Sequence, residues 1–461
     1  MKISTKIQVA IFGCLLIGQS LMAQEKRPNI IVIVADDLGY ATTGAFGSDG
    51  THVKTPNIDK IASGGAKFTN AYVTASVCGP SRSGLLTGRY QERFGVYANT
   101  DTQKGSAVPA SEKVMGYYFK KAGYTTAAIG KWHVGVKLPG QHPLDRGFDK
   151  YYGFNSAQTD YFNSPILYDG NEKVKKHDYL TFQFTNEAIS FIDSAKKKPF
   201  FMYLAYNAVH GPNQAPDDYM AKFKHLSKSD QVKAAMVAAL DDSVGKLLDE
   251  LKNKGLEENT LIFFMSDNGG LPTWWKGSNA PWRGFKREQW EGGCHVQFMM
   301  RWPAKIKAGQ VRQELTSSLD VLTTSMAAAG IENSKSYKLD GANLLPVFNQ
   351  PKKQVVHESL FWAGSHVPRE EGAKMDEDFE KDNAPPSWAV CSGKWKLVQM
   401  MAEGEPMLYN LEEDPAETKD VISQNNAIAK KMSKDFAFWY KDMVTPITWD
   451  KAYYEQLKTV K

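Results

Sequence analysis

Apolar residues form four unbroken runs along the chain, and every run ends in polar residues. The first run, NIIVIVADD, occupies residues 29–37. A continuous β-branched run of this length is typical of a strand that is buried on both faces of a parallel sheet. The other three runs are TTAAIGKWH at 125–133, PFFMYLAYNAVH at 199–210 and NTLIFFMSDNG at 259–269. The pattern therefore predicts four core strands.

Helical periodicity occupies the intervals between these strands. Residues Val232 to Leu251, for example, carry Ala, Met, Val and Leu at helical spacing. Alternation of strand and helix indicates an α/β fold with a large, mostly parallel sheet sandwiched by helices.

The pattern changes after about Pro351, where the apolar runs become short. The segments HESLFWA, SWAVCSGKWKLVQ and PMLYNL predict strands, and a helix is predicted around Ala427 to Met443. We interpret this part as a smaller antiparallel sheet with a helix packed on it. The predicted organisation is a large domain at 24–350 and a C-terminal α+β subdomain at 351–461. Residues 369–386 are charged, contain proline and are predicted to form a surface loop.

The first 23 residues have the features of a secretory signal peptide. Lys2 and Lys6 precede an apolar run at 7–21, and the small residue Ala23 follows it. The run is too short to span a bilayer comfortably, and no polybasic stop follows it. A lipoprotein signal at Cys14 is the weaker alternative, because the apolar run continues past that cysteine. We expect an exported protein without stable membrane insertion. The periplasm is the favoured location, and the cell surface or the medium is the alternative.

Net charge argues against one class of partner. The chain has a formal net charge of +5, and the predicted signal peptide carries two of the positive charges. Such a small excess does not favour binding to nucleic acid or to a membrane surface. The partner must be inferred from a site.

Cysteine usage singles out one residue. Cys78, Cys294 and Cys391 remain after the predicted signal peptide, so at least one is unpaired even where disulfides are permitted. Cys294 and Cys391 lie in apolar, strand-like sequence, which favours burial as small apolar side chains over a mutual disulfide. Cys78 lies in a polar turn, where that interpretation fits poorly.

The polar ends of the predicted strands supply the candidate site. Carboxyl ends of parallel strands meet at one edge of a sheet, so residues distant in sequence become neighbours there. Taken singly, each candidate has an ordinary interpretation, such as a helix cap, a structural histidine or a turn. The candidates are Asp36, Asp37, the turn 78–82, Lys131, His133, His210, Asp267 and Asn268.

Four oxygen-bearing side chains among them suit a hard divalent cation, Ca²⁺ or Mg²⁺. They are Asp36, Asp37, Asp267 and Asn268. Cys78 does not suit such a cation, because thiolates prefer soft metals. Either Cys78 lies away from the metal, or it is no longer a cysteine in the mature protein.

Cationic groups and a helix start accompany the acids. Arg82, Lys131 and Lys286 are the cations, and Gly-Pro at 79–80 marks a helix N-terminus, which favours an anion. A metal, cations and a helix N-terminus together describe a pocket for a sulfate or phosphate ester. The two candidate histidines suit proton transfer, because an unperturbed imidazole has a pKa near neutrality.

The segment CGPSRSGLLTGR at 78–89 resembles the signature of the type I sulfatases, whose core is C-x-P-x-R followed by Thr-Gly. Other segments resemble further landmarks of that family in the family's order, across essentially the whole chain after the signal peptide. They are VADDLGY, GKWHVG, HGPNQAP, SDNG, KREQWEGG, LDGANLLPVF and LYNLEEDPAETKDV. Within that family, the chain resembles the exported bacterial carbohydrate sulfatases.

This resemblance implies an alkaline-phosphatase-like fold and makes residues 24–350 the catalytic domain. It also implies that a formylglycine-generating maturase converts Cys78 to Cα-formylglycine before export. The hydrated aldehyde carries two hydroxyl groups, so oxygen replaces sulfur beside the metal. One Ca²⁺ per chain is then expected, and the implied ligands are Asp36, Asp37, modified Cys78, Asp267 and Asn268.

The resemblance further implies a role for each remaining residue. One hydroxyl of modified Cys78 attacks the sulfur while Asp267 accepts its proton. Lys131 and Lys286, with the metal, hold the sulfate oxygens. His210 protonates the departing alcohol.

The second half of the implied cycle restores the aldehyde. His133 deprotonates the second hydroxyl, and sulfate is expelled. Arg82 holds the geminal diol and Lys131. A plain serine or cysteine has no second hydroxyl, which is the chemical reason for the modification.

Two departures from the family pattern stand out. Cys-His-Val-Gln at 294–297 replaces the Ile-Arg-Val-Pro of many members, in what we expect to be a strand interior. Asn213 stands where several relatives carry a second histidine, so substrate contacts there are expected to differ.

Two other functions remain as alternatives: a phosphoesterase of the same superfamily, and a secreted glycan-binding relative that has lost catalysis. The expected substrate is a sulfated carbohydrate, such as a glycosaminoglycan or a mucin-type glycan. Candidate sugar contacts are His177, Trp274 and Trp275, with Trp282 and Trp290 nearby in sequence. Each tryptophan has an equally ordinary interpretation as a packing residue.

Overall fold

A computed structural model describes residues 27–97, 99, 107–136, 138–195, 198–334, 336–349, 354–364, 387–400 and 404–444. The predicted signal peptide and the predicted surface loop at 369–386 lie outside these residues. Within the described segments, none of the helices combines the length and the apolar character that crossing a membrane requires.

The described strands and helices alternate along the first two thirds of the chain. The strands are β1 (Asn29–Ala35), β2 (Ala66–Phe68), β3 (Ala71–Tyr72), β4 (Thr125–Lys131), β5 (Lys150–Phe154), β6 (Tyr168–Asp169), β7 (Glu172–Lys173), β8 (Phe200–Ala205), β9 (Thr260–Ser266), β10 (Phe298–Arg301), β11 (Gln310–Arg312), β12 (Thr316–Ser317), β13 (Ser359–Gly364), β14 (Ser387–Ser392), β15 (Trp395–Gln399) and β16 (Met407–Asn410). The helices are α1 (Pro56–Ser63), α2 (Cys78–Thr87), α3 (Met115–Lys121), α4 (Leu180–Ala195), α5 (Asp217–Lys222), α6 (Lys228–Asn253), α7 (Glu291–Cys294), α8 (Asp320–Ala328) and α9 (Asn426–Tyr440).

Ten of these strands form one large sheet in the order β11-β2-β10-β9-β1-β8-β4-β5-β6-β7. Its five central strands, β9, β1, β8, β4 and β5, are all parallel, and Val32 of β1 pairs with Tyr203 of β8 and Phe263 of β9. Antiparallel pairs flank this centre, through β10 on one side and the β6–β7 hairpin on the other. The predicted mostly parallel sheet is confirmed, and the four predicted core strands are β1, β4, β8 and β9.

Helices cover both faces of the sheet because successive residues of each strand point in opposite directions. In β1, Ile31 and Ile33 belong to the apolar core that includes α4 and α6. Ile30, Val32 and Val34 belong to the core on the other face, with α2, α3 and α8. Every residue of β1 is buried, and burying one such aliphatic side chain contributes roughly 1.5–3 kcal/mol. The continuous apolar run is thus explained by a strand with no solvent face.

The C-terminal part forms the smaller antiparallel sheet, in the order β13-β14-β15-β16. Its β14–β15 hairpin turns at Gly393, whose φ of +58° favours glycine. Phe436 and Trp439 of α9 pack with Val390 and Leu397 of the sheet in one apolar cluster. The predicted sheet with a helix on it is confirmed.

One local prediction is wrong. The segment 294–297 is not a strand interior, because Glu291–Cys294 forms the short helix α7 and the next strand begins at Phe298. The peptide N–H of His295 donates to the carbonyl of Glu291 at 2.7 Å, which closes a helical turn there. The cysteine prediction holds, since Cys294 and Cys391 are both free and buried.

Candidate active site

The carboxyl ends of β1, β4, β8 and β9 meet in one buried site. Asp36 and Asp37 follow β1, Lys131 is the last residue of β4, and Asp267 follows β9. All four side chains are fully or almost fully buried. The convergence that the strand pattern predicts is therefore present, although only chain folding brings residues 36 and 267 together.

Asp36 pairs with two cations. Its Oδ2 lies 2.5 Å from Nζ of Lys131 and 3.6 Å from Nη2 of Arg82. Burial opposes ionisation of Asp36, but the charges of Lys131, His210 and Arg82 outweigh it and hold the pKa of the carboxyl well below its usual range. Asp36 is an anion at any physiological pH.

Arg82 links α2 to two of the strands. Its Nε and Nη2 both lie 2.8 Å from Oδ2 of Asp267, and its Nη1 donates to the carbonyl of Lys131 at 3.1 Å. Its Nη1 also donates to the Tyr203 hydroxyl at 3.4 Å. A planar, permanently charged guanidinium presents five N–H donors in a fixed geometry, so it can hold several acceptors in defined relative positions. Arg82 therefore fixes the relative positions of the helix, β4 and the end of β9.

Asp37 anchors the second lysine and the amide of Asn268. Lys286 Nζ donates to Asp37 Oδ1 at 2.6 Å and to Cys78 Sγ at 3.1 Å. Asn268 Nδ2 donates to the same Asp37 oxygen at 2.7 Å. Burial lowers the pKa of Lys286, but the charge of Asp37 outweighs that effect and raises it. Lys286 is thus a fixed cation in contact with the sulfur of Cys78.

Cys78 is the first residue of α2, as the Gly-Pro pair predicted. The N–H of Gly79, in the first turn, donates to Asn99 Oδ1 at 2.8 Å. Burial raises the pKa of the Cys78 thiol to about 11, despite the charges of Lys131 and Lys286. The unmodified side chain is therefore a neutral thiol among hard oxygen ligands, with little nucleophilic character at neutral pH.

The two candidate histidines differ in environment. His133 is buried, its Nδ1 has no hydrogen-bond partner among the described residues, and burial together with the charges of Lys131 and Arg82 lowers its pKa well below its usual value. His210 is partly exposed, with Nδ1 2.8 Å from the carbonyl of Gly211 and Nε2 3.7 Å from Asp37 Oδ2. Burial lowers the pKa of His210, against the charge of Asp36. His133 is therefore uncharged at neutral pH.

The Asp267 carboxyl is harder to ionise than an exposed aspartate. Burial, together with the charge of Asp36, raises its pKa to about 6 against the effect of Arg82. Its Oδ1 accepts the peptide N–H of Asp37 at 3.2 Å. A carboxyl with a pKa near the working pH can take up a proton during a reaction.

The donor set fits a hard divalent cation. Asp36 Oδ1, Asp37 Oδ2 and Asn268 Oδ1 are buried oxygens without a hydrogen-bond partner among the described residues. Ligand atoms of Asp36, Asp37, Cys78 and His210 also lie within 4.8 Å of one another. Unpaired buried oxygens are costly unless a ligand satisfies them, and carboxylate and amide oxygens are the ligands that Ca²⁺ prefers. Asp36, Asp37 and Asn268 are therefore the residues best placed to hold such an ion.

The candidate sugar contacts lie in a different setting. Trp274 and Trp275 are only 7% and 9% exposed, and the Trp275 ring stacks on His52 with centroids 4.6 Å apart. Nε2 of His177 accepts a hydrogen bond from the N–H of Ser164, and Nδ1 contacts the carbonyl of Asp178. Trp282 stacks on His295, and Trp290 packs edge-on against Tyr409. These contacts account for the side chains as loop and core residues, and their role in sugar binding stays a prediction.

Two residues of the site carry no signal in the sequence. Tyr203 lies inside the apolar run of β8, and its hydroxyl contacts Arg82. Asn99 lies in a polar stretch far from any predicted strand end, yet its side chain contacts the start of α2. Only the tertiary contact identifies either of them.

Comparison with known proteins decides the family. The family model described as "Sulfatase" matches residues 28–331, which include every proposed catalytic and metal-ligating residue above. A second model, "N-sulphoglucosamine sulphohydrolase, C-terminal", matches residues 282–438. The chain belongs to the sulfatase family. It is thus a sulfuric ester hydrolase with the alkaline-phosphatase-like fold of that family.

Individual relatives agree with this assignment. The chain is 33% identical to "Uncharacterized sulfatase YdeN" of Escherichia coli (strain K12), over 88% of this chain and 84% of that protein. It is 33% identical to "N-acetylgalactosamine-6-sulfatase" of Homo sapiens, over 72% of this chain and 68% of that protein. The solved structure of Ps i-CgsB in complex with k-i-k-neocarrahexaose superposes with a TM-score of 0.83 at 34% identity, covering 95% of this chain and 98% of that one.

Proposed function

We propose that this sulfatase hydrolyses a sulfate ester on a carbohydrate, using Cys78 converted to Cα-formylglycine and one bound Ca²⁺. The observation that carries the proposal is the placement of Cys78. Cys78 is the first residue of α2, and its sulfur contacts Lys286. It lies beside buried carboxylates whose unpaired oxygens suit a cation. A neutral thiol is a weak nucleophile, and sulfur is a poor ligand for a hard cation. A hydrated aldehyde at residue 78 would instead place an oxygen nucleophile beside the lysine and the cation.

Lys131 and Lys286 would bind the sulfate group. Each ammonium is held by one carboxylate, Asp36 or Asp37, and each retains further donors for sulfate oxygens. Ammonium groups fixed in a buried site stabilise negative charge as it grows on the sulfate oxygens. A bound divalent cation would add positive charge at the same place and favour the ionised form of the nucleophilic hydroxyl.

Bond formation and cleavage would then require two proton transfers. One hydroxyl of hydrated residue 78 attacks sulfur, and its proton passes to Asp267, whose raised pKa allows it to act as a base. The bond between sulfur and the sugar oxygen breaks, and His210 donates a proton to the departing alcohol. Burial lowers the pKa of His210, and the negative charges of Asp36 and Asp37 oppose that shift, so its proton is readily given up to the leaving oxygen.

Release of sulfate would restore the starting residue. His133 is neutral near pH 7 because burial and neighbouring cations lower its pKa, so it can accept the proton of the second hydroxyl. The carbonyl of residue 78 forms as its bond to the sulfate oxygen breaks. Water then hydrates the aldehyde, and the cycle is complete. Arg82 holds residue 267 and the backbone of residue 131 in place throughout.

Similar proteins support a glycan substrate. One relative is named as an N-acetylgalactosamine-6-sulfatase, and one structural neighbour at 34% identity was solved with a neocarrahexaose. Glycosaminoglycan, mucin-type and carrageenan-type sulfated sugars are therefore the first substrates to test. Maturation by a formylglycine-generating enzyme and export to the periplasm complete the proposal.

The test is a screen for sulfate release. Sulfated mono- and disaccharides with defined sulfate positions are incubated with the protein, and free sulfate is measured alongside the calcium content. We expect release from at least one sugar and about one Ca²⁺ per chain. Lys286→Ala should lower kcat/KM by a factor of roughly 100 or more, because it removes a fixed donor to the charge that develops.

Lys276→Ala is the matched control, since this exposed lysine lies in the same region of the chain and should leave turnover unchanged. Near-normal turnover of Lys286→Ala would remove that residue from the mechanism. Release of phosphate from sugar phosphates, with two zinc ions bound, would instead establish the phosphoesterase alternative. Binding of sulfated sugars without any release would establish the non-catalytic alternative.

A further inference from the structure

A cavity of about 920 Å³ opens at the end of the sheet opposite the catalytic site. Its lining includes Arg27, just before β1, Ala122, just before β4, and Pro199, just before β8. These positions are at the amino ends of the strands, whereas the catalytic groups are at the carboxyl ends. A strand of seven residues is about 20 Å long, so the cavity and the catalytic site are separate.

The cavity is rich in positive charge. Lys113 and Lys121 both place their ammonium groups over the ring of Tyr117, with distances of 5.2 Å and 5.8 Å to its centroid. The guanidinium of Arg27 lies over the ring of Tyr124 at 5.1 Å and donates to a backbone carbonyl. Ring faces attract cations without neutralising them. The three cations are therefore positioned but retain their charge.

Acidic partners for these cations are absent from the described part of the chain. The ion pairs found there include none to Arg27, Lys113 or Lys121, and Glu332 is the acidic residue in the lining. The nearby carboxylate of Glu112 is already paired with Arg89, at 2.9 Å. The cavity thus carries an excess of positive charge that an anion would neutralise.

Two uncharged polar groups in the lining also lack partners. Tyr118 is only 7% exposed, and its buried hydroxyl has no hydrogen-bond partner among the described residues. The side-chain oxygen of Asn333 is likewise buried and unpaired, while its Nδ2 donates to the carbonyl of Tyr337 at 2.6 Å. Leaving such a group unpaired costs about 1–3 kcal/mol. Because both atoms are shielded from solvent, a ligand with hydroxyl groups would recover that cost once the side chains that cover them move.

We propose that this cavity binds an anionic saccharide, as a second, non-catalytic site for the sulfated glycan. The cations suit sulfate or carboxylate groups, the Tyr118 hydroxyl is a donor for a sugar oxygen, and Asn333 Oδ1 is an acceptor for a sugar hydroxyl. The combination distinguishes a saccharide from a simple inorganic anion. The proposal rests on the proposed function for its choice of ligand, but it makes no use of the catalytic residues.

The consequence is a preference for long chains. A disaccharide cannot reach from the catalytic site to the opposite end of the sheet, whereas a long polymer can contact both. Occupancy of the cavity would retain the polymer near the enzyme by effective concentration, without changing hydrolysis of a small substrate.

The test compares two pairs of lysine substitutions in a Lys286→Ala background, which prevents turnover during the measurement. Lys113→Gln/Lys121→Gln removes two cations from the cavity. Lys430→Gln/Lys434→Gln removes two exposed cations from α9 and is the matched control. Calorimetry measures binding of a chondroitin 6-sulfate decasaccharide, a chondroitin 6-sulfate disaccharide, a hyaluronan decasaccharide and inorganic sulfate.

We expect Lys113→Gln/Lys121→Gln to weaken decasaccharide binding about tenfold, because two charge-assisted contacts are lost, and the control pair to leave it unchanged. Tyr118→Phe should weaken saccharide binding but not the binding of inorganic sulfate. Equal losses in both lysine pairs would overturn the proposal in favour of non-specific charge attraction. Inorganic sulfate binding as tightly as the decasaccharide would overturn the assignment to a saccharide.

Sulfate release separates this proposal from the proposed function. This measurement uses enzyme that keeps Lys286. There, Lys113→Gln/Lys121→Gln should leave the rate of hydrolysis of a small substrate unchanged. If the enzyme releases sulfate but substitution of Lys113 and Lys121 does not change its affinity for the decasaccharide, only the proposed saccharide site is refuted. A protein that shows the lysine-dependent binding but releases no sulfate refutes the proposed catalysis alone.

Discussion

Cys78 shows how one side chain can conflict with its surroundings. It is fully buried, its thiol pKa is raised to about 11 by burial, and the oxygens around it suit a hard cation that binds sulfur poorly. A buried cysteine in an apolar core, such as Cys391, has no such conflict. The conflict disappears if residue 78 carries hydroxyl groups in the active protein.

We expect the modification to be specific to this one cysteine. In protein purified from a host with a formylglycine-generating maturase, mass spectrometry of the tryptic peptide 68–82 should show an aldehyde in place of the Cys78 thiol. The peptide that contains Cys391 is the internal control and should retain its thiol. Cys78→Ala should release no sulfate while folding normally.

An unmodified thiol at Cys78 in fully active enzyme would refute the proposed nucleophile. Expression in a host without the maturase supplies the complementary result: the thiol should persist, and sulfate release should be absent from that preparation.

At the scale of single elements, the approach of β4 to its neighbours sets the position of Lys131. Gly130 has a φ of +101°, and a Cβ atom there would lie 1.9 Å from the carbonyl oxygen of Ala205 in β8. A Cβ atom on Gly153 of β5 would lie equally close to the carbonyl of Gly130. Both strands therefore reach this end of the sheet only because these positions lack side chains.

Gly130→Ala should therefore destabilise the protein severely. A positive φ alone costs a non-glycine residue about 1–2 kcal/mol, and the overlap with β8 adds about 1–3 kcal/mol. The measurement is the free energy of unfolding from denaturant titration. Gly309→Ala is the control, because Gly309 has a φ of +75° but open space around it, so only the backbone cost applies.

Equal destabilisation by the two substitutions would show that β4 and β8 can separate without further cost. In that case the glycine at 130 would be explained by backbone conformation, and the close approach of the strands would not matter.

At the scale of the whole molecule, a buried ion pair joins the C-terminal sheet to the catalytic region. Lys396 of β15 donates to Glu291 Oε1 at 2.7 Å, and both side chains are fully buried. Glu291 Oε2 accepts the Tyr72 hydroxyl at 2.7 Å and lies 2.8 Å from His295 Nδ1. Glu291 is five residues beyond Lys286, so the small sheet supports the segment that carries this catalytic lysine.

Removing Lys396 should leave Glu291 as an uncompensated buried charge. Lys396→Met is expected to cost about 3–5 kcal/mol of unfolding free energy, which is typical for breaking a buried pair from one side. The measurement is thermal and denaturant unfolding. Lys394→Met, on the same hairpin but only half-buried and over the Trp395 ring, should cost less than about 1 kcal/mol. Similar values for the two variants would show that the pair adds nothing to stability.

Much of the fold and site could be predicted because it is encoded locally. The run at 29–37 predicted β1, and the two acids after it proved to be adjacent to the end of β9, as parallel strands require. The Gly-Pro pair predicted the start of α2. The expected strand at 294–297 was wrong, because α7 ends at Cys294 and the strand begins only at Phe298, and hydrophobicity alone does not place such a boundary.

The sequence by itself determined the type of sheet, the identity of the strand-end residues and the family resemblance, because each depends on patterns within a few residues. Only the tertiary structure decided which oxygens remain free for a cation, that Arg82 pairs with Asp267, and that Tyr203 and Asn99 belong to the site. It alone revealed the cavity of Lys113 and Tyr118. The reason is physical: strand and helix patterns arise from neighbouring residues, whereas pairing, burial and unpaired atoms arise from contacts between residues far apart in the chain.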